Sequence, residues 1–123
     1  TNNVEALLGI VESFQSEYVQ INFDTGNTFI AGNDPLTFLK GVRKYVNHVH
    51  VKDVSKALAE AVRGKETGIS ASVVPIGQGV NAPNIAACIQ YLKETNWDGV
   101  FSIESDGEEN IRPSVEWLRQ QIG

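Results

Sequence analysis

Apolar and polar residues alternate in three short segments of this chain: Gln20-Ile21-Asn22-Phe23-Asp24, His48-Val49-His50-Val51-Lys52 and Val100-Phe101-Ser102-Ile103-Glu104. A period of two predicts strands with two chemically different faces. Ile21, Phe23, Val49, Val51, Phe101 and Ile103 fall on the apolar faces. Asn22, Asp24, His48, His50, Lys52, Ser102 and Glu104 fall on the polar ones. The predicted strands cover about residues 18–24, 47–52 and 100–104.

Helical spacing separates them. Val4, Leu7, Leu8, Val11 and Phe14 mark a first helix, with Asn2 and Glu5 spaced like a capping box. Asp34-Pro35 opens a second helix carrying Leu36, Leu39 and Val42 on one face. The long stretch 54–82 contains a helix-like piece from Ala57 to Val62, then Val73-Val74-Pro75-Ile76-Gly77-Gln78-Gly79. A third long helix starts near Pro83-Asn84 with Ile85, Ile89 and Leu92, and Asn96-Trp97-Asp98-Gly99 ends it with turn residues. A last helix, about Asn110 to Ile122, carries Ile111, Val115, Leu118 and Ile122.

The order α-β-α-β-α-β-α predicts parallel strands with helical crossovers in one unit, residues 1–123, without internal repeat or linker. Three parallel strands alone leave their edges unprotected. In an open doubly wound sheet both faces pack on helices and should be apolar. In a (β/α)₈ barrel one face points inward, and polar groups gather at the C-terminal mouth. The polar faces therefore favour strands 6, 7 and 8 of a TIM barrel over a small open α/β domain.

Charge and composition then narrow the partners. The net charge is −5, with no Lys/Arg cluster, which argues against duplex nucleic acid. No apolar run has membrane-spanning length, and no charged segment followed by an apolar one opens the chain. Cys88 is the single cysteine, so no intrachain disulfide forms and a reducing cytoplasm is the expected setting. The chain starts Thr1-Asn2-Asn3 and has no methionine; a processed protein or a piece of a longer one is expected.

Asp24, His50 and Glu104 bring oxygen, nitrogen and oxygen donors to the ends of three strands, which converge in a closed barrel. Such a set binds Mn2+, Mg2+, Co2+ or Zn2+. Singly, each residue has an ordinary reading: a turn-forming Asp, a packed His, a solvated Glu. His48 lies one pleat deeper, as an inner hydrogen-bond partner or as filling for the interior. Lys52, nearer the mouth, is placed to hold a substrate hydroxyl, carboxylate or phosphate, or simply to be a solvated rim residue. Asn27, in the turn after Asp24, faces the pocket or serves its own backbone. Gly77-Gln78-Gly79 resembles a phosphate cradle only weakly; its flexibility suits a loop over the mouth.

Phe23-Asp24-Thr25-Gly26-Asn27, His48-Val49-His50-Val51-Lys52-Asp53-Val54, Pro75-Ile76-Gly77-Gln78-Gly79 and Ile103-Glu104-Ser105-Asp106 together resemble the C-terminal half of the xylose isomerase-like TIM barrels. This superfamily includes ketose 3-epimerases, hydroxypyruvate isomerases, inosose dehydratases and endonuclease IV. The resemblance implies that Asp24, His50 and Glu104 are divalent-metal ligands and that Glu104 is also an acid/base group. It implies a small sugar or polyol substrate and a metal-stabilised enediolate formed by proton abstraction next to a carbonyl. It places a fourth ligand, a glutamate, on an earlier strand outside this chain. Asn27 stands where epimerases and the endonuclease have histidine, and Val51-Lys52-Asp53 departs from the endonuclease's Asn-Asp-Ser. The Val-Lys-Asp continuation and the Pro-Ile-Gly-Gln-Gly loop look closer to inosose-dehydratase-like members. The expected activity is that of a sugar isomerase or epimerase, with an inosose-dehydratase-like lyase or a non-catalytic sugar- or metal-binding half barrel as alternatives. The missing N-terminal barrel half, or a second copy, is the expected partner.

Overall fold

The computed structural model describes residues 3–65, 68–69 and 72–123. Its elements run α1 (Val4–Ser13), β1 (Ile21–Asp24), α2 (Thr25–Ile30), α3 (Pro35–Val42), a 3-10 turn (Arg43–Tyr45), β2 (Val46–Val51), α4 (Lys56–Val62), α5 (Ala82–Glu94), β3 (Val100–Ile103) and α6 (Glu108–Ile122). The strands form one sheet in the order β1-β2-β3, and both pairings are parallel.

Register places the alternating faces side by side. Phe23 stands beside Val49 and Val49 beside Phe101; on the other face Asp24 stands beside His50 and His50 beside Ser102. Ile21, Phe23, Val49 and Val51 join Phe38, Leu39 and Val42 of α3, Ile85, Ile89 and Leu92 of α5 and Leu118 of α6 in one apolar cluster. The polar partners stay outside it: Asn22 is exposed, and Asp24, His48, His50 and Ser102 are half-buried. The crossover helices pack in sequence order, α1 on α3, α3 on α5 and α5 on α6. A parallel sheet with one apolar face under a row of helices and one polar face is a segment of a TIM barrel.

Short polar side chains start the helices. Asn3 Oδ1 accepts from Ala6 N at 2.9 Å and caps α1; Asn2, the expected cap, lies outside the described residues. Asp34 precedes Pro35 at the start of α3, and Ser55 caps α4. Proline inside α6, at Pro113, is accommodated beside Ser114, whose hydroxyl donates to Asn110 O at 2.6 Å.

Four local expectations need correction. β1 begins at Ile21, not residue 18, and Tyr18, 89% exposed, stands outside the sheet. Phe14 caps α1 in the open, at 62% exposure, and does not join its apolar face. Lys52 lies past the end of β2, and Glu104 just past β3. The segment after Asp24 is a six-residue helix, α2, where a turn was expected.

Candidate functional site

Asp24 ends β1 and caps α2. Its Oδ1 accepts from Asn27 N at 2.8 Å, and its Oδ2 from Asn27 Nδ2 at 3.2 Å. The same Oδ2 meets Lys52 Nζ at 3.0 Å. Lys52 is therefore no solvated rim residue; its side chain is 3% exposed and also donates to Ile69 O at 2.8 Å. Gly26 makes the room: a Cβ there would meet the Lys52 stem at 2.7 Å. Asn27 Oδ1 accepts from Ile69 N at 2.8 Å, so the asparagine ties the following loop to Asp24.

On the neighbouring strands, His50 Nδ1 lies 3.0 Å from Glu104 Oε1, with 28% and 31% of the two side chains exposed. Deeper on the same face, His48 Nε2 is hydrogen-bonded to Ser102 Oγ. The two imidazole rings stand 4.8 Å apart, centroid to centroid. Ser102 lay on the predicted polar face, yet only the cross-strand register reveals it as the partner of His48.

Of the three expected ligands, His50 and Glu104 are in direct contact, while Asp24 is paired in register with His50 but engaged by Lys52. Among the described residues no group of three or more His, Cys, Asp or Glu side chains is arranged to hold a metal. The donor set, two carboxylates and an imidazole on adjacent strand ends, fits a hard or borderline divalent cation in kind. As the side chains stand, one oxygen of Asp24 carries an ammonium group. A cavity of about 300 Å³ lined by Asp24, Asn27, Phe23, Phe38 and Gly68 opens beside β1 and does not include His50 or Glu104.

The glycine loop, expected to be flexible, is tied down by hydrogen bonds to Asp53 and Ser114. Asp53 is fully buried. Its Oδ2 accepts from Gly77 N and Gly79 N, both at 2.9 Å, and its Oδ1 from Val54 N at 2.8 Å and Asn81 N at 3.0 Å. Ser114 Oγ adds a bond from Ile76 N at 2.8 Å. A Cβ at Gly79 would run into Val54 O and the Asp53 carboxylate, and one at Gly77, where φ is 102°, into Trp117. The loop's amides thus serve an internal carboxylate. Sequence reasoning passed over Asp53, Asn81 and Ser114, since their partners are remote along the chain.

Cys88 is buried in α5, and burial, with a smaller contribution from Asp34, pushes its thiol up to about 12. It is an inert core residue. Among the described residues no helix is long and apolar enough to cross a membrane.

Parallel strands under sequential helices, with ionisable side chains at one end of the polar face, are the arrangement of a TIM-barrel segment at its C-terminal mouth. Residues 1–121 match the family model described as "Xylose isomerase-like TIM barrel", and the chain belongs to that family. It is similar to an inosose dehydratase of Clostridium botulinum, at 23% identity over 121 residues, covering 95% of this chain and 39% of that one. An inosose dehydratase of Bacillus anthracis is 28% identical over 123 residues, with the same shares covered. Two solved structures superimpose well: a D-tagatose 3-epimerase-like protein (TM-score 0.73, 26% identity, 98% of this chain and 41% of that one) and a xylose isomerase domain protein from Planctomyces limnophilus (TM-score 0.75, 27% identity, 96% and 43%). The chain thus spans about two fifths of the length of the relatives it matches.

Proposed function

We propose that the full-length protein is a divalent-metal-dependent sugar isomerase or epimerase that removes a proton next to a carbonyl. In this reading the 123 residues are the C-terminal half of its barrel, strands 6–8. The observation that carries it is the placement of Asp24, His50 and Glu104 at the same ends of three adjacent parallel strands, with His50 and Glu104 already 3.0 Å apart.

A divalent cation held by Asp24, His50 and Glu104, with a further ligand from the N-terminal half, would supply the Lewis acidity that stabilises charge developing at the carbonyl. Glu104 moves the proton; its half-exposed carboxylate is within reach of a ligand, and His50 orients it. Lys52, buried against Asp24, neutralises that carboxylate and acts on a substrate only through it. Asn27, tied to Asp24, stands at the same strand ends, and His48, tied to Ser102, forms the floor beneath His50; both are the substrate-side polar groups of this reading. The substrate is a small sugar or polyol, as the names of the relatives suggest. Among the described residues the outer edges of β1 and β3 pair with no further named strand, and such edges suit added strands from the N-terminal half of the same protein or from a second copy.

A second reading, an inosose-dehydratase-like lyase, is favoured by relatives of that name in several bacteria. It uses the same proton abstraction but loses a β-hydroxyl. One experiment separates the two. The full-length protein with Mn2+ is incubated in D2O with a ketose and, separately, with an inosose. Deuterium entering beside the carbonyl of the ketose with all hydroxyls kept supports the isomerase or epimerase. Loss of water from the inosose supports the lyase. No metal-dependent exchange or elimination with either substrate refutes both and leaves a binding module.

A further inference from the structure

The ladder between β1 and β2 ends at Asp24 and His50, yet the two segments stay linked as far as Lys52 through the Thr25 hydroxyl and the Asn81 side chain. Thr25 is fully buried. Its Oγ1 accepts from Lys52 N at 2.8 Å and donates its single proton between His50 O and Lys52 O, each 3.1 Å away. Asn81 Nδ2 closes the same spot, donating to Thr25 O at 3.0 Å and Lys52 O at 3.1 Å.

The chain at Thr25 has already turned into α2, so its backbone is no longer available to continue the ladder. A side-chain oxygen takes the place of the next rung. Three groups depend on it. Asp24 immediately precedes Thr25, His50 supplies one of the acceptors, and Lys52 supplies the amide. Asp24 and His50 are already ladder partners, and the hydroxyl carries their pairing one residue further, to the backbone on either side of them. It also sets the backbone from which Lys52 reaches Asp24.

We propose that Thr25 is a positioning residue of the candidate metal site: its hydroxyl holds Asp24, His50 and Lys52 in the register that lets the two donors act on one cation. This inference rests on the metal-dependent reading above. Valine matches the shape of threonine without the hydroxyl, and would leave the buried Lys52 amide without its acceptor. Serine keeps the hydroxyl.

The test is a calorimetric Mn2+ titration of the full-length protein, wild type, Thr25→Val and Thr25→Ser, with the melting temperature of each metal-free protein taken alongside. Loss of a group that orients metal ligands weakens affinity roughly ten- to hundred-fold, and that is the loss expected for Thr25→Val, with Thr25→Ser near wild type. A hydroxyl that serves folding alone would lower the melting temperature of Thr25→Val and leave its Mn2+ affinity unchanged; that result overturns the proposal while the metal site stands. A wild type that binds no Mn2+ overturns both. Should Thr25→Val fail to fold, hydrogen exchange in the wild type decides. A Lys52 amide as slow as those within β2 supports the rung, and one as fast as exposed loop amides overturns it.

Discussion

Lys52 Nζ stands 3.0 Å from Asp24 Oδ2, with 3% of the lysine side chain exposed against 20% of the aspartate. Burying an ammonium is expensive unless a charge and hydrogen bonds meet it, and here Asp24 and Ile69 O do so. Lys52→Met keeps the stem under Gly26 and removes the charge. Breaking one side of a buried pair costs roughly 3–5 kcal/mol, and the partial exposure of Asp24 puts the expected loss near the bottom of that range, about 3 kcal/mol. The double variant Lys52→Met/Asp24→Asn should regain part of it, with a coupling of about 1–2 kcal/mol. Urea unfolding of the four proteins in the cycle checks both figures.

Asp53 receives four backbone N–H groups on its two oxygens. Asn in its place turns one oxygen into a donor that faces N–H groups, so at least one buried amide loses its acceptor. That costs about 1–3 kcal/mol. The expected result for Asp53→Asn is a loss of stability in this range, with faster hydrogen exchange at Gly77, Gly79 and Asn81. Unchanged exchange at these amides would show that the loop does not depend on the carboxylate.

The alternation at residues 21–24, 48–51 and 100–103 carried the parallel strands and their polar face into the sequence, because a half-buried strand writes its burial at every second position. Nothing comparable marked α2. Thr25-Gly26-Asn27 has turn chemistry, and the helix depends on the Asp24 cap and on Thr28 Oγ1 donating to Asp24 O at 2.6 Å. Lys52 was legible as a residue near the mouth but not as a buried partner of Asp24, since its burial needs the empty space at Gly26 on another element. The loop at Gly77 and Gly79 was read as flexible from composition. Its order comes from Asp53 and Ser114, contacts that no local pattern encodes.

Glu104→Gln separates binding from proton transfer. The amide keeps an oxygen for a hydrogen bond or weak ligation but cannot accept and return a proton. In the full-length protein, deuterium exchange beside the substrate carbonyl should fall roughly 10²- to 10⁴-fold, measured by NMR at saturating Mn2+. His50→Ala removes the imidazole that touches Glu104, and its main expected effect is weaker Mn2+ binding, read by calorimetry. If Glu104→Gln exchanges deuterium as fast as wild type, Glu104 is not the proton-transfer group.

Cys88 supplies a pH signature of the core. Its pKa rises from the ordinary thiol value of 9.0 to about 12, first through burial and then through the charge of Asp34. Below pH 9 both the folded and the unfolded chain hold the thiol proton, and the group makes no pH-dependent contribution. Above pH 9 the unfolded chain releases it while the folded one keeps it, so folding binds more protons and stability falls as pH rises. The slope approaches about 1.4 kcal/mol per pH unit until the folded pKa is reached. Cys88→Ala lacks this term. The stability advantage of wild type over Cys88→Ala should therefore shrink steadily between pH 9 and 11, measured by urea unfolding under reducing conditions. Alkylation by iodoacetamide at pH 8 should likewise be slow in the folded protein and fast in urea, because almost none of the native thiol is thiolate at that pH.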